Sequence, residues 1–120
     1  MPAQNYALKN RLSQSSELNL TVTGRKSGRP LTIPVWFVLE DNTLYLLPVH
    51  GSDTQWYKNA LENSSIRVEA KDANAAFQAA PITDSSRVSS IVEKFRSKYG
   101  AANVEKYYTK FDVAVLTDIN

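Results

Sequence analysis

The amino-acid sequence predicts a mainly β, α+β fold in which six antiparallel strands form a small barrel with flanking helices. Three observations predict it: apolar and polar residues alternate in several short segments, turn residues separate these segments, and two helical patterns interrupt the series. The chain has 120 residues, so we expect a single domain over residues 1–120. Closure is favoured because six strands in so short a chain would otherwise leave free edges.

The first half of the chain reads as a short helix followed by three strands. The predicted elements are an N-terminal helical segment over residues 1–15, whose helix covers 5–12 with Tyr6, Leu8 and Leu12 partly buried, and strands over 17–23, 31–40 and 43–49. Leu18 and Leu20 share one face of the first strand. Pro34 cannot donate a ladder hydrogen bond, so the second strand needs an edge or a bulge there. Trp36 and Val38 make both faces of that strand apolar, so a helix or a partner subunit must cover them.

The second half of the chain alternates helices and strands. The predicted elements are a helix over 54–63, strands over 65–70 and 75–81, a longer helix that begins after Thr83 or Asp84 and ends at Gly100, a short helical piece over 101–110 and a last strand over 111–119. Asp53 is the predicted cap of the first helix. The apolar face of that helix is predicted to comprise Trp56, Tyr57, Ala60 and Leu61.

Composition excludes several classes of function. The chain has no cysteine, which excludes disulfides, thiolate metal sites and cysteine nucleophiles and makes the cytoplasm the expected location. With His50 as the single histidine, we expect no metal site. A net charge of +2 is too small to indicate a nucleic-acid partner. No apolar run is long enough to span a membrane.

A basic turn, "TGRKSGRP" at residues 23–30, holds the densest positive charge in the chain. Arg25, Lys26 and Ser27 offer a planar fork, a point charge and a hydroxyl, which together suit a phosphate or a carboxylate. Gly28 lets the backbone approach a bound oxygen closely. Two interpretations stay open: a cradle for an anionic group, and a solvated hairpin tip whose charges bind nothing.

A second candidate segment precedes the helix over 54–63. His50, Gly51 and Ser52 lie before its free backbone N–H groups, which favour an anion. The alternative is that Asp53 already occupies the helix start as its own anion. Trp56 would wall the same pocket or pack in the core.

Two adjacent tyrosines, Tyr107 and Tyr108, follow the longer helix. Their rings suit stacking on a flat heterocycle, and a phenol suits hydrogen bonding to a substrate; packing at the barrel rim is the alternative. The acidic residues show no spacing that pairs carboxylates, and no serine lies in a nucleophile elbow. This absence is compatible with hydride transfer, because a cofactor supplies that chemistry.

The stretch "TGRKSGRPLTIPVWFVLEDNTLYLLPVHGSDTQWYKNAL" resembles the deazaflavin-dependent nitroreductase family, split β-barrels related to pyridoxamine-phosphate oxidase. The matching positions are Thr23 to Gly28, Pro30, Gly51, Trp56, Tyr57, Asn59 and, one position late, Leu61. The resemblance is good over residues 17–70 and loose elsewhere. It implies a six-stranded split barrel that binds the deazaflavin coenzyme F-420 or FMN and transfers hydride to a quinone, a nitro compound or an enone.

The resemblance also assigns residues to roles. It places the phosphate contacts on Arg25, Lys26 and Ser27, loop contacts on Gly51 and Ser52, and a substrate contact on Tyr107 or Tyr108. Relatives often form homodimers, so a homodimer is among the expected assemblies.

The chain departs from the family pattern in two places. Leu31 lies where the family usually has a basic residue, and the loop that begins at Val49 is shorter than the corresponding loop of the family. A smaller anion-bearing ligand, or a barrel that has lost its cofactor, therefore stays open. The alternative function is a non-catalytic carrier or sensor of a flavin, haem or tetrapyrrole.

Overall fold

The computed structural model of the chain describes Tyr6–Ile119, and the predicted helix start at residue 5 lies outside this part. The described helices are α1 (Tyr6–Ser13), α2 (Gln55–Glu62), α3 (Ser85–Tyr99) and α4 (Ala101–Tyr107), and a 3-10 turn covers Gly51–Asp53. The described strands are β1 (Leu18–Thr23), β2 (Pro30–Val35), β3 (Phe37–Glu40), β4 (Thr43–Leu46), β5 (Ser65–Ala70), β6 (Ala73–Gln78), β7 (Ala80–Ile82) and β8 (Ala114–Asp118). Within this part of the chain, no helix combines the length and the apolar character that crossing a membrane requires.

The strands form two four-stranded antiparallel sheets, ordered β2-β1-β5-β6 and β3-β4-β8-β7. The mixed α+β class and the antiparallel pairing were predicted, but the predicted count of six strands differs from the eight observed. The difference arises because two predicted strands bend and change sheets. Trp36 separates β2 from β3, and Ala79 separates β6 from β7. Each bend joins an edge of one sheet to an edge of the other, so the sheets face each other around one core.

The core between the sheets is apolar. Strand β1 alternates as predicted, with Leu18 and Leu20 fully covered, and Leu20 pairs across the ladder with Val68 of β5. The helices α1 and α2 close the core, to which they add Leu8, Leu12, Trp56, Tyr57 and Ala60. Burial of each large apolar side chain stabilises the fold by about 1.5–3 kcal/mol.

A second apolar cluster lies on the outer face of the sheet that contains β3. It comprises Val88, Ile91, Val92 and Phe95 of α3, with Val38 of β3. Trp36 stacks on Tyr99 with 4.2 Å between ring centroids and 7° between planes. Helix α3 therefore covers the strand whose two faces are both apolar. The apolar character of this strand is then no evidence for a subunit interface. A homodimer stays a prediction that light scattering would test.

The start of α2 differs from the prediction. Asp53 does not cap the helix: Thr54 occupies the cap position, and the Asp53 carboxylate pairs with Lys110 at 3.2 Å. Leu61 is 53% exposed, whereas Asn59 is 3% exposed. The reason is helical spacing, since the third and fourth residues after Trp56 share its face and the fifth does not.

The other helix ends follow the sequence more closely. Asp84 caps α3 by accepting a hydrogen bond from the Arg87 N–H at 3.0 Å. Gly100 ends that helix with φ of +95°, in the region that favours glycine. In α1, Leu8 and Leu12 are buried as predicted, but Tyr6 is 70% exposed rather than partly buried.

Candidate functional site

A cavity of about 490 Å³ opens beside the end of β2. Its volume lies within the range of roughly 300–1,000 Å³ that is usual for small-molecule sites. The residues that line it are Glu17, Ile33, Pro34, Val35, Trp36, Leu47, Val49, Thr54, Trp56, Tyr107 and Tyr108. Most of these side chains are apolar or aromatic, so the cavity suits a flat, largely apolar molecule.

The aromatic wall of the cavity is rigid. Trp36 is fixed by its stack on Tyr99, and the Tyr107 ring meets it edge-on with 5.7 Å between centroids at 82°. Trp56 also lines the cavity; it is 5% exposed and packs in the core at the start of α2. Two indole rings held in fixed orientations favour binding of a planar heterocycle.

Tyr108 supplies a hydroxyl to this apolar surface. Its side chain is 5% exposed, and burial raises the pKa of its phenol well above the usual value. The phenol therefore stays protonated at neutral pH. Among the described residues it has no hydrogen-bonding partner, so it is available to donate a hydrogen bond to a molecule in the cavity.

Arg25 of the basic turn has a structural role. Its guanidinium donates to Asn59 Oδ1 at 2.7 Å and to Gln55 Oε1 at 2.9 Å, and its backbone N–H donates to the same Asn59 oxygen at 3.1 Å. These bonds join the turn to α2. They also leave fewer of the Arg25 donors free for a ligand than the sequence implies.

The rest of the basic turn is exposed. Ser27 Oγ accepts a hydrogen bond from the Arg29 N–H at 3.2 Å, while Gly28 has φ of +70°. Lys26 makes no hydrogen bond or ion pair with any described residue. The turn lies at the Pro30 end of β2, and Ile33 of the cavity is three residues away, or about 10 Å at the usual strand rise.

The loop before α2 is bound to the chain's own carboxylate. Asp112 accepts from the Ser52 N–H at 2.9 Å and from Ser52 Oγ at 2.6 Å. Burial alone would raise the pKa of Asp112, but the two Ser52 bonds and Lys110 outweigh it and lower the pKa. Gly51 fits this contact, with φ of +55° and no room for a side chain: a Cβ there would lie 2.1 Å from Asp112 Oδ1.

His50 lies on the outer side of the same loop. It is exposed, and its Nδ1 is 2.8 Å from Thr109 Oγ1. It does not line the cavity, although its neighbour Val49 does.

The structure thus divides the predicted site residues into groups. The cavity brings together Trp56, Tyr107 and Tyr108. The other predicted residues do not line it and lie in two places: the basic turn, with Arg25, Lys26, Ser27 and Gly28, and the loop, with His50, Gly51 and Ser52.

Sequence reasoning missed most of the cavity wall. Glu17, Ile33, Val49 and Thr54 line it, yet each looks ordinary in the sequence. The one available signal was Trp36, an aromatic residue at a strand position whose two faces both need cover.

Comparison with known proteins identifies relatives at two levels. A family model described as "Uncharacterized protein conserved in bacteria (DUF2255)" matches residues 9–115. No curated protein matches the chain.

Solved structures share the fold at low sequence identity. An F420-H2-dependent reductase, FDR-A, superposes with a TM-score of 0.67 at 19% identity over 86% of this chain and 94% of its own. A putative 5-nitroimidazole antibiotic resistance protein from Bacteroides thetaiotaomicron gives 0.73 at 13% identity over 98% and 80%. HutZ, the haem storage protein from Vibrio cholerae, gives 0.72 at 13% identity over 96% and 89%. The resemblance to the split-barrel reductases that the sequence indicated is confirmed at the level of fold.

Proposed function

The chain belongs to the DUF2255 family of bacterial proteins, and we propose that it is a reductase that binds a flavin or deazaflavin in its cavity. In this proposal it passes a hydride to a quinone, a nitro compound or an enone. The observation that carries the proposal is the cavity itself: two fixed indole rings and a protonated, unpartnered phenol surround about 490 Å³. The named reductase among the structures of the same fold supports the cofactor class.

The proposed orientation of the cofactor follows from the positions of the charged side chains. The ring system would lie against Trp36 and Trp56, and its anionic tail would reach the basic turn about 10 Å away along β2. Lys26 has no other partner in the described chain and would contact the tail phosphate. Arg25 would act mainly by holding the turn in place through Asn59.

The residues of the chain then have limited chemical tasks. When bound, a reduced flavin or deazaflavin supplies the hydride. The aromatic walls would exclude water and orient the acceptor toward the cofactor. The Tyr108 phenol, which is neutral at physiological pH and whose pKa burial raises further, would donate a hydrogen bond to an acceptor oxygen as negative charge develops there. Tyr107, half exposed, borders the opening.

A binding titration followed by a turnover assay tests the proposal. The protein is titrated with FMN and with coenzyme F-420, and oxidation of each reduced cofactor is then followed with menadione or a nitroarene. We expect saturable binding of at least one cofactor at micromolar concentration, and acceptor-dependent oxidation. If neither cofactor binds, the proposed function is wrong.

A matched pair of variants locates the binding. Ile33→Trp adds bulk on the cavity wall, whereas Thr32→Trp adds it on the exposed face of the same strand. The first should weaken cofactor binding at least tenfold, and the second should leave it within twofold. Equal effects would show that the cofactor binds elsewhere.

The second candidate function is a non-catalytic carrier of a flavin, haem or tetrapyrrole. The haem storage protein of the same fold favours it. The same assays separate the two candidates, because a carrier would bind the chromophore without passing electrons to menadione. The visible absorption spectrum of the protein as purified would identify a retained chromophore directly.

A further inference from the structure

The cavity has an unusual charge distribution along its length. Among the described residues that line it, Glu17 carries the only formal charge, and no lysine, arginine or histidine lines the wall. Glu17 directly precedes β1, whose first residue, Leu18, pairs with Val35 of β2. The basic turn lies at the opposite end of this hairpin, where Thr23 pairs with Pro30.

The two ends of the site therefore differ in electrostatic character. From Pro30 to Val35 the strand rises by five residues, or about 16 Å, so the cations and the Glu17 carboxylate are well separated. The charge of Glu17 also acts on a neighbouring side chain. The pKa of Tyr99, which stacks on Trp36, is raised mainly by the burial of Tyr99, and the negative charge of Glu17 adds to the rise. No ion pair of Glu17 with a described residue neutralises it.

Within the described part of the chain, the loop beside the cavity adds no unpaired lysine or arginine to the lining. Val49 and Thr54, which flank the loop, both line the cavity, so the loop lies at its rim. Its donors at Ser52 are taken by the Asp112 carboxylate, and Lys110 lies between Asp53 and Asp112 at 3.2 and 3.7 Å. Lys110, which contacts the loop, is thus already paired with the carboxylates of Asp53 and Asp112.

We infer that the hydride acceptor of this protein is a flat molecule that is neutral or cationic, and that Glu17 selects against anionic acceptors. The inference rests on the proposed function, in which the cofactor's anionic tail lies toward the basic turn. The acceptor then occupies the Glu17 end, beside Trp36. A carboxylate on the acceptor would lie near Glu17 without a cation to offset the repulsion.

Three nitroaromatic probes of different charge test the inference: 4-nitrobenzoate and 4-nitrobenzamide, which have nearly equal shape, and 4-nitrobenzyltrimethylammonium, which is bulkier. Their dissociation constants are measured calorimetrically with the protein before cofactor is added, and their KM values are measured with the reduced cofactor. We expect the anion to bind at least fivefold more weakly than the neutral amide, and the cation to bind as tightly as the amide or more tightly. The ratio should fall toward one in 0.5 M salt, because salt screens a partly exposed charge.

Two charge-neutralising variants sharpen the test. Glu17→Gln should reduce the preference for the amide over the anion to less than twofold. Glu62→Gln, which removes the same charge at the exposed end of α2, should leave the preference unchanged. Equal binding of anion and amide by the unmodified protein, or an unchanged preference in Glu17→Gln, overturns the inference.

The outcomes also separate this inference from the proposed function. If the cofactor binds but the probes show no charge preference, the function stands and the inference fails. If none of the three probes binds, the inference fails as well, and the FMN and F-420 titrations decide independently whether the proposed function fails with it.

Discussion

Replacing Arg25 should destabilise the fold, whereas replacing its neighbour Lys26 should not. In Arg25→Ala the guanidinium bonds to Asn59 and Gln55, at 2.7 and 2.9 Å, are lost. The bond to buried Asn59 is charge-assisted and contributes about 1.5 kcal/mol, at the low end of its class because the arginine is exposed. The bond to exposed Gln55 adds at most about 0.5 kcal/mol.

The expected loss is therefore about 1.5–2 kcal/mol in the free energy of unfolding. For a chain of 120 residues this corresponds to a fall in Tm of about 6–8 °C. Lys26→Ala is the control and should change the unfolding free energy by less than about 0.5 kcal/mol, since Lys26 has no partner in the described chain.

Urea unfolding followed by tryptophan fluorescence, with thermal unfolding by circular dichroism, measures both variants. A double-mutant cycle with Asn59→Ala should give a coupling energy of about 1 kcal/mol between the two side chains. Equal stability of the Arg25 and Lys26 variants, or zero coupling to Asn59, would refute the structural role of Arg25. Loss of cofactor affinity in Lys26→Ala at unchanged stability would support its contact with the tail.

Three further predictions concern the rim, the turn and the helix cap. Tyr108→Phe should keep the unfolding free energy within about 0.5 kcal/mol of that of the unmodified protein, because the hydroxyl has no described partner. The same variant should lower kcat in the menadione assay. A kcat equal to that of the unmodified protein would show that the phenol takes no part in the reaction. Gly51→Ala should destabilise the fold more than Gly28→Ala does, because both glycines have positive φ but only Gly51→Ala places a Cβ against Asp112. The midpoints of urea unfolding measure both variants, and equal midpoints would contradict the packing described for the loop. Hydrogen bonds from Ser86 and Arg87 lower the pKa of Asp84 below its unfolded value. The contribution of Asp84 to the free energy of unfolding is therefore present above the unfolded pKa and is lost as pH falls through the folded pKa. Thermal unfolding from pH 7 to 2.5 should show this loss, and Asp84→Asn should make the pH dependence of Tm less steep.

The sequence predicted the elements and their pairing better than it predicted the site. Alternation placed Leu18 and Leu20 on one face of a strand, and helical spacing placed Trp56 and Ala60 on one face of α2, because both patterns depend on a fixed period; all four are buried. The bends at Trp36 and Ala79 were missed. Pro34 and the apolar residues on both faces around Trp36 and Val38 marked an irregular second strand, but such signals do not show that the two halves of a strand join different sheets.

The site was harder to predict because it depends on contacts between distant segments. Arg25 looked like a free anion ligand, but its partner Asn59 lies 34 positions away in α2. Ser52 looked available, but Asp112 reaches it across 60 positions. Neither contact has a local signature, and both change what the residue can bind.

The proposed function requires that the ligand binds in the cavity beside Trp36, Trp56 and Tyr108. Nuclear magnetic resonance titration of the ¹⁵N-labelled protein with FMN or F-420 tests it most directly. If the cavity binds the cofactor, the largest chemical-shift changes fall on the amides of Ile33, Val35 and Trp36, both indole N–H groups and the amides of Tyr107 and Tyr108, with smaller changes at residues 24–29. Saturable changes confined to another surface, with these resonances unmoved, would contradict it.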